Sequence, residues 1–182
     1  MSGQNDLGHW QRVHIGYAST RVERVENLFG NRQKVEAMYT HILIPTDGSE
    51  LSNDAIRHGV ALAKAVNAKV TGITVTTPFH VIAMDPETLT DTADTYKKRT
   101  TTLTEKYLKQ VSDAAAAAGV SCAVIHVEHE HPYRAIIDAA EKNGCDLVAM
   151  ASHGRHGLSA VVLGSVTVKV LTHSNIPVLV YR

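Results

Sequence analysis

The chain is poor in cysteine, poor in aromatic residues and without an excess of either charge. Cys122 and Cys145 are the only cysteines in 182 residues. Both fall in or beside apolar runs, so they read as reduced core residues, and nothing requires a disulfide. Eighteen acidic residues balance eighteen basic ones. That balance excludes a global basic field drawn to nucleic acid or to an anionic membrane. No apolar run approaches the length of a membrane span. The first residues lack the charged-then-apolar order of a secretory signal, so the expected compartment is the cytoplasm.

Residues 1–37 differ from the rest. They are polar, weakly periodic and hold the single tryptophan, Trp10. Val22, Val25, Leu28 and Phe29 can form one stripe on a short helix over about residues 20–31. Met38 directly precedes the first clear strand. The expected organisation is an N-terminal extension over 1–37, poorly ordered or a short helix, and one domain over 38–182. The extension is either dispensable or a partner-binding arm. His14-Ile15-Gly16-Tyr17 faintly matches an adenylate-forming signature, but no strand precedes it, and it is read as chance.

From Met38 strands and helices alternate. Strands are expected at 41–45, 69–75, 120–127, 145–151 and 176–181. Helices are expected at 51–66, 96–118, 132–143 and 165–173, with a long connection over 76–94 broken by Pro78 and Pro86. Leu51, Ala55, Leu62 and Val66 mark one face of the first helix, and Asp47 or Ser49 can cap it. Leu103, Tyr107, Val111 and Ala114 or Ala115 mark the face of the second. The order β-α-β-α-β-α-β-α-β with continuous apolar strands predicts an α/β protein. Its sheet is parallel, doubly wound and buried on both faces. Ligands in such sheets bind beyond the carboxyl ends of the strands, where strand order reverses. Asp47, Val75 and the turn at Gly154 all fall at such ends.

The most informative stretch is Ala151-Ser152-His153-Gly154-Arg155-His156-Gly157-Leu158, followed by Leu163-Gly164-Ser165-Val166. A glycine turn leaving a strand and a Gly-Ser opening a helix offer backbone N–H groups and a positive dipole end to a polyphosphate. No lysine follows the second glycine, so this is neither the Lys-bearing phosphate loop nor G-x-G-x-x-G.

These residues resemble the universal stress protein family over 38–182. Ile42-Leu43-Ile44-Pro45-Thr46-Asp47-Gly48-Ser49 is similar to the family's first strand and loop, and Asn175 to Arg182 to its last strand. The ATP-binding subgroup carries G-x-x-G, nine residues, then G-[ST]. Here Gly154, Gly164 and Ser165 match, and Ala151 replaces the first glycine. If that position needs positive φ, alanine costs about 1 kcal/mol or more; if it is extended, the cost is small. The resemblance implies a five-stranded sheet in order 3-2-1-4-5, a flavodoxin-like or Rossmann-like sandwich, with adenine nucleotide in the crevice. It implies Pro45 and Asp47 at the adenosine end and Val75 meeting adenine through its backbone. Gly154, Gly164, Ser165 and Val166 would hold phosphates, and Thr46, Met150, Ala151 and Arg155 complete the set. ATP, ADP or AMP would bind, with Mg²⁺ or Mn²⁺ held mainly by phosphates. The order also puts the strand from Ile176 to Tyr181 on an edge, where a two-fold copy would cover it in a homodimer.

Three roles stand open at this stage: a nucleotide-dependent switch in stress response read by an unknown downstream protein, a slow ATPase, and a nucleotide-free dimeric adaptor. Plainer readings compete residue by residue. Asp47 can simply cap a helix, with Glu50 three residues on. Gly154 and Gly157 can be turn glycines, Ser165 an N-cap, and Arg155 a solvated loop residue. His126, His129 and His131 read as polar surface rather than a metal site, because strand alternation sends them apart.

Overall fold

The computed structural model describes residues 38–78, 93–154 and 163–182. The expected helix over 20–31, Trp10, Pro86, Arg155, His156 and Gly157 lie outside the described residues. Five strands run in chain order as β1 (His41–Pro45), β2 (Lys69–Thr76), β3 (Cys122–Glu128), β4 (Leu147–Ala151) and β5 (Val178–Tyr181). The helices are α1 (Glu50–Val66), α2 (Ala93–Ala118), α3 (Pro132–Lys142) and α4 (Ser165–His173). All strand pairings are parallel, in order β3-β2-β1-β4-β5. Fold class and strand order are those expected. Among the described residues no helix is long and apolar enough to cross a membrane.

The two periodicities of the chain build a three-layer sandwich. Alternate residues of a strand face opposite sides. Ile42 and Ile44 of β1 join Leu147 and Ala149 of β4 on one face, against Ile56, Val60 and Ala63 of α1 and Val111 and Ala115 of α2. Leu43, Val148 and Met150 face the other way, against Ile136, Ile137 and Ala140 of α3 and Val170 of α4. Ile42, Leu43, Ile44 and Ile73 are fully buried, each contributing about 1.5–3 kcal/mol of transfer free energy.

Three expectations need correction. The inward face of α1 is Ser52, Ala55, Ile56, Gly59, Val60 and Ala63, whereas Leu51, Leu62 and Val66 are half-buried. The helix lies close to the sheet: a Cβ on Gly59 would fall 2.8 Å from Ile44 Cδ1. Small side chains therefore occupy the contact and larger ones flank it. On α2, Leu108 and Thr104 are buried with Tyr107, Val111 and Ala115, and Leu103 is half-buried. The outer strands are not buried on both faces. Ala123, Val124, His126 and Glu128 of β3 are exposed, as is Leu179 of β5, because helices pack centrally and leave edge strands part-covered.

At the amino ends of the strands several polar groups bond to one another, while His41 Nδ1 is buried without a hydrogen-bond partner. Asp146 accepts from Thr40 N and Thr40 Oγ1, both at 2.7 Å, and from His41 N at 3.0 Å. Burial alone would push its carboxyl up, yet these bonds outweigh burial and hold it below the usual carboxylate range. His41 is buried, with Nε2 2.8 Å from Thr71 Oγ1. Burial, then the charge of Lys69, lowers its pKa. Both cysteines are free; Cys145 is buried and Cys122 half-buried. Burial pushes the Cys145 thiol up to about 11 and the Cys122 thiol up as well, so both stay protonated and poorly nucleophilic.

Candidate functional site

At the opposite, carboxyl end the sheet carries a crevice of about 300 Å³. It opens where the chain runs from β1 toward β2 and β3 on one side and β4 and β5 on the other. This is the switch point where two adjacent loops diverge and leave room for a ligand. Pro45, Thr46 and Asp47 line it from β1 and its loop, Val75 from β2, and Met150 and Ala151 from β4. Gly154 follows β4, and Gly164, Ser165 and Val166 come from the start of α4. Of the residues expected from the sequence only Arg155 is missing here, and it lies outside the described residues. Ser52, Ile73, Pro132, Ile136, His153 and Thr167 also line the crevice and were not expected. Pro132 and Ile136 could have been found: a proline-started helix following β3 has its first turn at the same end of the sheet.

The β1–α1 turn is held by its own side chains. Thr46 is buried; its amide donates to Ile73 O at 2.9 Å, and its carbonyl accepts from Thr74 Oγ1 at 3.1 Å. Thr46 Oγ1 accepts from Gly48 N at 3.2 Å and lies 3.1 Å from Ser52 Oγ. Asp47 Oδ1 accepts from Ser49 N at 3.1 Å. Ser49, not Asp47, is the N-cap of α1: its Oγ accepts from Ser52 N at 3.2 Å. The capping-box reading of Asp47 and Glu50 is thereby overturned, since Glu50 is already the first helical residue. The second carboxylate oxygen of Asp47 lies across the crevice against Gly154, 2.5 Å from where a Cβ on that glycine would stand.

The phosphate-binding expectation changes in detail at α4. Gly164 is the N-cap, with extended φ −63 and ψ 148, and Ser165 is the first helical residue. The N-cap reading of Ser165 is therefore replaced. The Gly164 amide donates to Ser152 O at 2.8 Å, so it is not available to a ligand. The first in-helix bond runs from Val168 N to Gly164 O at 2.9 Å. The amides of Ser165, Val166 and Thr167 consequently have no helical acceptor. They have none elsewhere among the described residues, and neither does the Gly154 amide. Thr167 Oγ1 donates to Ala151 O at 3.0 Å and ties the helix start to β4.

Ala151 sits in β4 beside Tyr181 of β5 and is almost fully buried. Among the described residues Asn67 is the positive-φ non-glycine residue, and Ala151 is paired within a strand, so the extended alternative holds for Ala151 and its added methyl costs little. His153 is buried, with Nδ1 2.9 Å from Ser152 Oγ and Nε2 without a partner. The histidines of the β3–α3 region serve local bonds. His126 Nε2 is 2.8 Å from Thr76 Oγ1, and His129 Nδ1 accepts from His131 N at 2.8 Å. Among the described residues no group of three metal-ligating side chains is assembled.

A doubly wound parallel sheet with a crevice at its switch point defines the class: a three-layer α/β protein. The profile of the universal stress protein family matches residues 38–182, and the chain belongs to that family. It is 33% identical over 149 residues to universal stress protein MJ0531 of Methanocaldococcus jannaschii, covering 81% of this chain and 84% of that one. It is 30% identical to universal stress protein YxiE of Bacillus subtilis, covering 80% of this chain and all of the relative. Among solved structures, hypothetical protein MJ0577 superposes with TM-score 0.63 at 29% identity, over 79% of this chain and 95% of that one. A universal stress protein solved in complex with cAMP has TM-score 0.58 at 24% identity, over 79% and 97% of the two chains. One from Archaeoglobus fulgidus solved with dAMP has TM-score 0.56 at 15% identity, over 80% and 99%. The last two likenesses establish the fold.

Proposed function

We propose that the crevice binds an adenine nucleotide, ATP in the first instance, and that a homodimer uses its occupancy as a signal in stress physiology. The observation that carries this reading is the set of amides at Gly154, Ser165, Val166 and Thr167 without acceptors among the described residues, all in residues that line one crevice. Such donors stabilise phosphate oxygens through hydrogen bonds and the helix dipole. Asp47, on the facing loop, would take hydroxyl donors of the ribose. Apolar Val75, Ile73, Ile136 and Met150 would flank the base. The cAMP and dAMP carried by two proteins of the same fold support an adenine ligand.

The described lining has one carboxylate and no other acidic side chain, so no carboxylate cage fits a divalent cation. Mg²⁺ or Mn²⁺ would instead be held by the phosphates and supply charge neutralisation there. The dimer reading rests on the C-terminal edge. β5 pairs with β4 alone among the described strands, and Leu179 of β5 is exposed, as are Val168 and Leu171 of α4. A second copy would cover that apolar edge.

The test is to purify the chain without added nucleotide, denature it and identify released small molecules by mass spectrometry. ATP, ADP or AMP near one per chain is the expected result. An empty protein that also gives no calorimetric heat with Mg-ATP would overturn the proposal and leave a nucleotide-free adaptor.

A further inference from the structure

We propose that His153 donates a hydrogen bond from Nε2 to a phosphate oxygen of the bound nucleotide, with Ser152 as the residue that fixes its ring for that task. The inference rests on the adenine-nucleotide reading above and adds a side-chain donor to its amides.

His153 follows the end of β4 by two residues and lines the crevice beside Gly154. Ser152 and His153 are both buried, at 1% and 7% exposure. Backbone bonds hold the pair from two sides. Ser152 N donates to Tyr181 O at 2.7 Å, and Ser152 O accepts from Gly164 N at 2.8 Å. A Cβ on Gly164 would stand 3.3 Å from His153 Cα, so the start of α4 lies close to His153. The residue therefore belongs to the half of the crevice lined by Gly154, Gly164 and Ser165, the half that offers amides to phosphates.

Which ring nitrogen holds hydrogen follows from Ser152. Its Oγ lies 2.9 Å from His153 Nδ1 and has no other partner among the described residues. A hydroxyl has one hydrogen to place, and a neutral imidazole has hydrogen on one nitrogen only. If Nδ1–H donated to Oγ, the buried serine hydrogen would be stranded and Nε2 would be a stranded acceptor. If the serine donates to Nδ1, Nε2 carries the ring hydrogen and is the single group left unmatched. Each stranded group costs about 1–3 kcal/mol, so the second arrangement wins. A protonated ring also has hydrogen on Nε2, which makes Nε2 a donor in either state. Turning the ring over would set carbon against Ser152 Oγ and forfeit the bond.

Nε2–H is thus a buried donor with no acceptor in the fold. Buried donors without acceptors are rare and call for a functional account. The crevice that His153 lines is where an acceptor can arrive, and a phosphate oxygen is what the amides of Gly154, Ser165, Val166 and Thr167 also await. Holding hydrogen, Nε2 has no lone pair to take a proton from water, so His153 is a binding residue and not a general base for hydrolysis.

The experiment is a long-range proton–nitrogen correlation spectrum of the histidine rings in the full chain, alone, with saturating Mg-ATP and with adenosine. The His153 signals are assigned by their loss in His153→Gln. His153 is expected in the Nε2–H form, with the Nε2 resonance moving on Mg-ATP and staying in place with adenosine, which has no phosphate. An Nδ1–H form, an Nε2 resonance unmoved by Mg-ATP, or one moved equally by adenosine would each overturn the proposal. Calorimetry gives the size of the effect. His153→Asn keeps a polar group only near the Nδ1 position and should weaken Mg-ATP binding about tenfold or more. His153→Gln, whose amide reaches the Nε2 position, should recover most of that loss. Equal losses in both folded variants would mean a packing role and overturn the proposal. If His153→Asn fails to fold, the wild-type spectra decide. If Mg-ATP moves neither Nε2 nor the amides of Ser165 and Val166, the nucleotide reading falls together with this role; if the amides move and Nε2 does not, this role falls alone.

Discussion

The two ends of one sheet have been put to opposite uses. At the amino ends Asp146 draws three donors from Thr40 and His41, and His41 itself is buried against Thr71. Most polar groups there are matched within the fold, His41 Nδ1 being a buried exception, and the region contributes stability. At the carboxyl ends the amides of Gly154, Ser165, Val166 and Thr167 have no acceptor among the described residues, and a crevice opens in front of them. Unmatched donors cost a fold nothing while water reaches them, and they are the donors a ligand can use. A parallel sheet makes this division natural. Its loops cluster by end, so one end can be closed by packing while the other is left to function.

The sharpest way to break the comparison is to fill the crevice. Gly154→Val would drive its side chain into Asp47 Oδ2. Mg-ATP affinity should fall by about a hundredfold or more, beyond the reach of one lost hydrogen bond, while the far-ultraviolet circular dichroism stays unchanged. Asp146→Ala attacks the other end. It strands Thr40 N, Thr40 Oγ1 and His41 N, and partial exposure limits the cost to about 1–3 kcal/mol in urea denaturation. Nucleotide affinity should hardly move. A large affinity loss from Asp146→Ala would mean that the two ends are not independent.

Acid sharpens the same contrast. Burial and Lys69 hold the folded pKa of His41 below its ordinary 6.5, against the opposing pull of Asp146. A depressed folded pKa means that the unfolded chain binds the proton more tightly. Stability from this group is complete above pH 6.5 and is lost as pH falls from there through the lower folded value. The thermal midpoint of the wild type should drop across that window, and His41→Gln should flatten the drop. The smallest effect is expected from Ala151→Gly. Restoring the family's glycine at an extended, strand-paired position should change Mg-ATP affinity by less than about threefold, because no left-handed backbone is required there.

Much of this was legible in the sequence, and what was not has physical reasons. The runs His41 to Pro45 and Leu147 to Ala151 announced the central strands because both faces of each are covered. Val120 to Val127 looked equally apolar, yet the strand found there is an edge strand with exposed Val124 and His126, and a strand's own composition does not state its place in the sheet. The face of α1 was misjudged because large aliphatic residues attract attention, whereas closeness to the sheet selects Ser52, Gly59 and Ala63. The crevice was readable from Asp47, Val75 and the Gly154–Gly164–Ser165 spacing. Its bonding was not: that Ser49 caps α1, and that Ser152 consumes the Gly164 amide, depends on one-residue offsets in turns that spacing alone does not resolve.

The most direct test of the division between the two ends is an amide proton–nitrogen correlation spectrum of the full chain, recorded with and without Mg-ATP. The account predicts large shifts at Gly154, Ser165, Val166 and Asp47, and negligible ones at Thr40, His41 and Asp146. Shifts of equal size at both ends, or none at Ser165 and Val166 in the presence of saturating nucleotide, would contradict it.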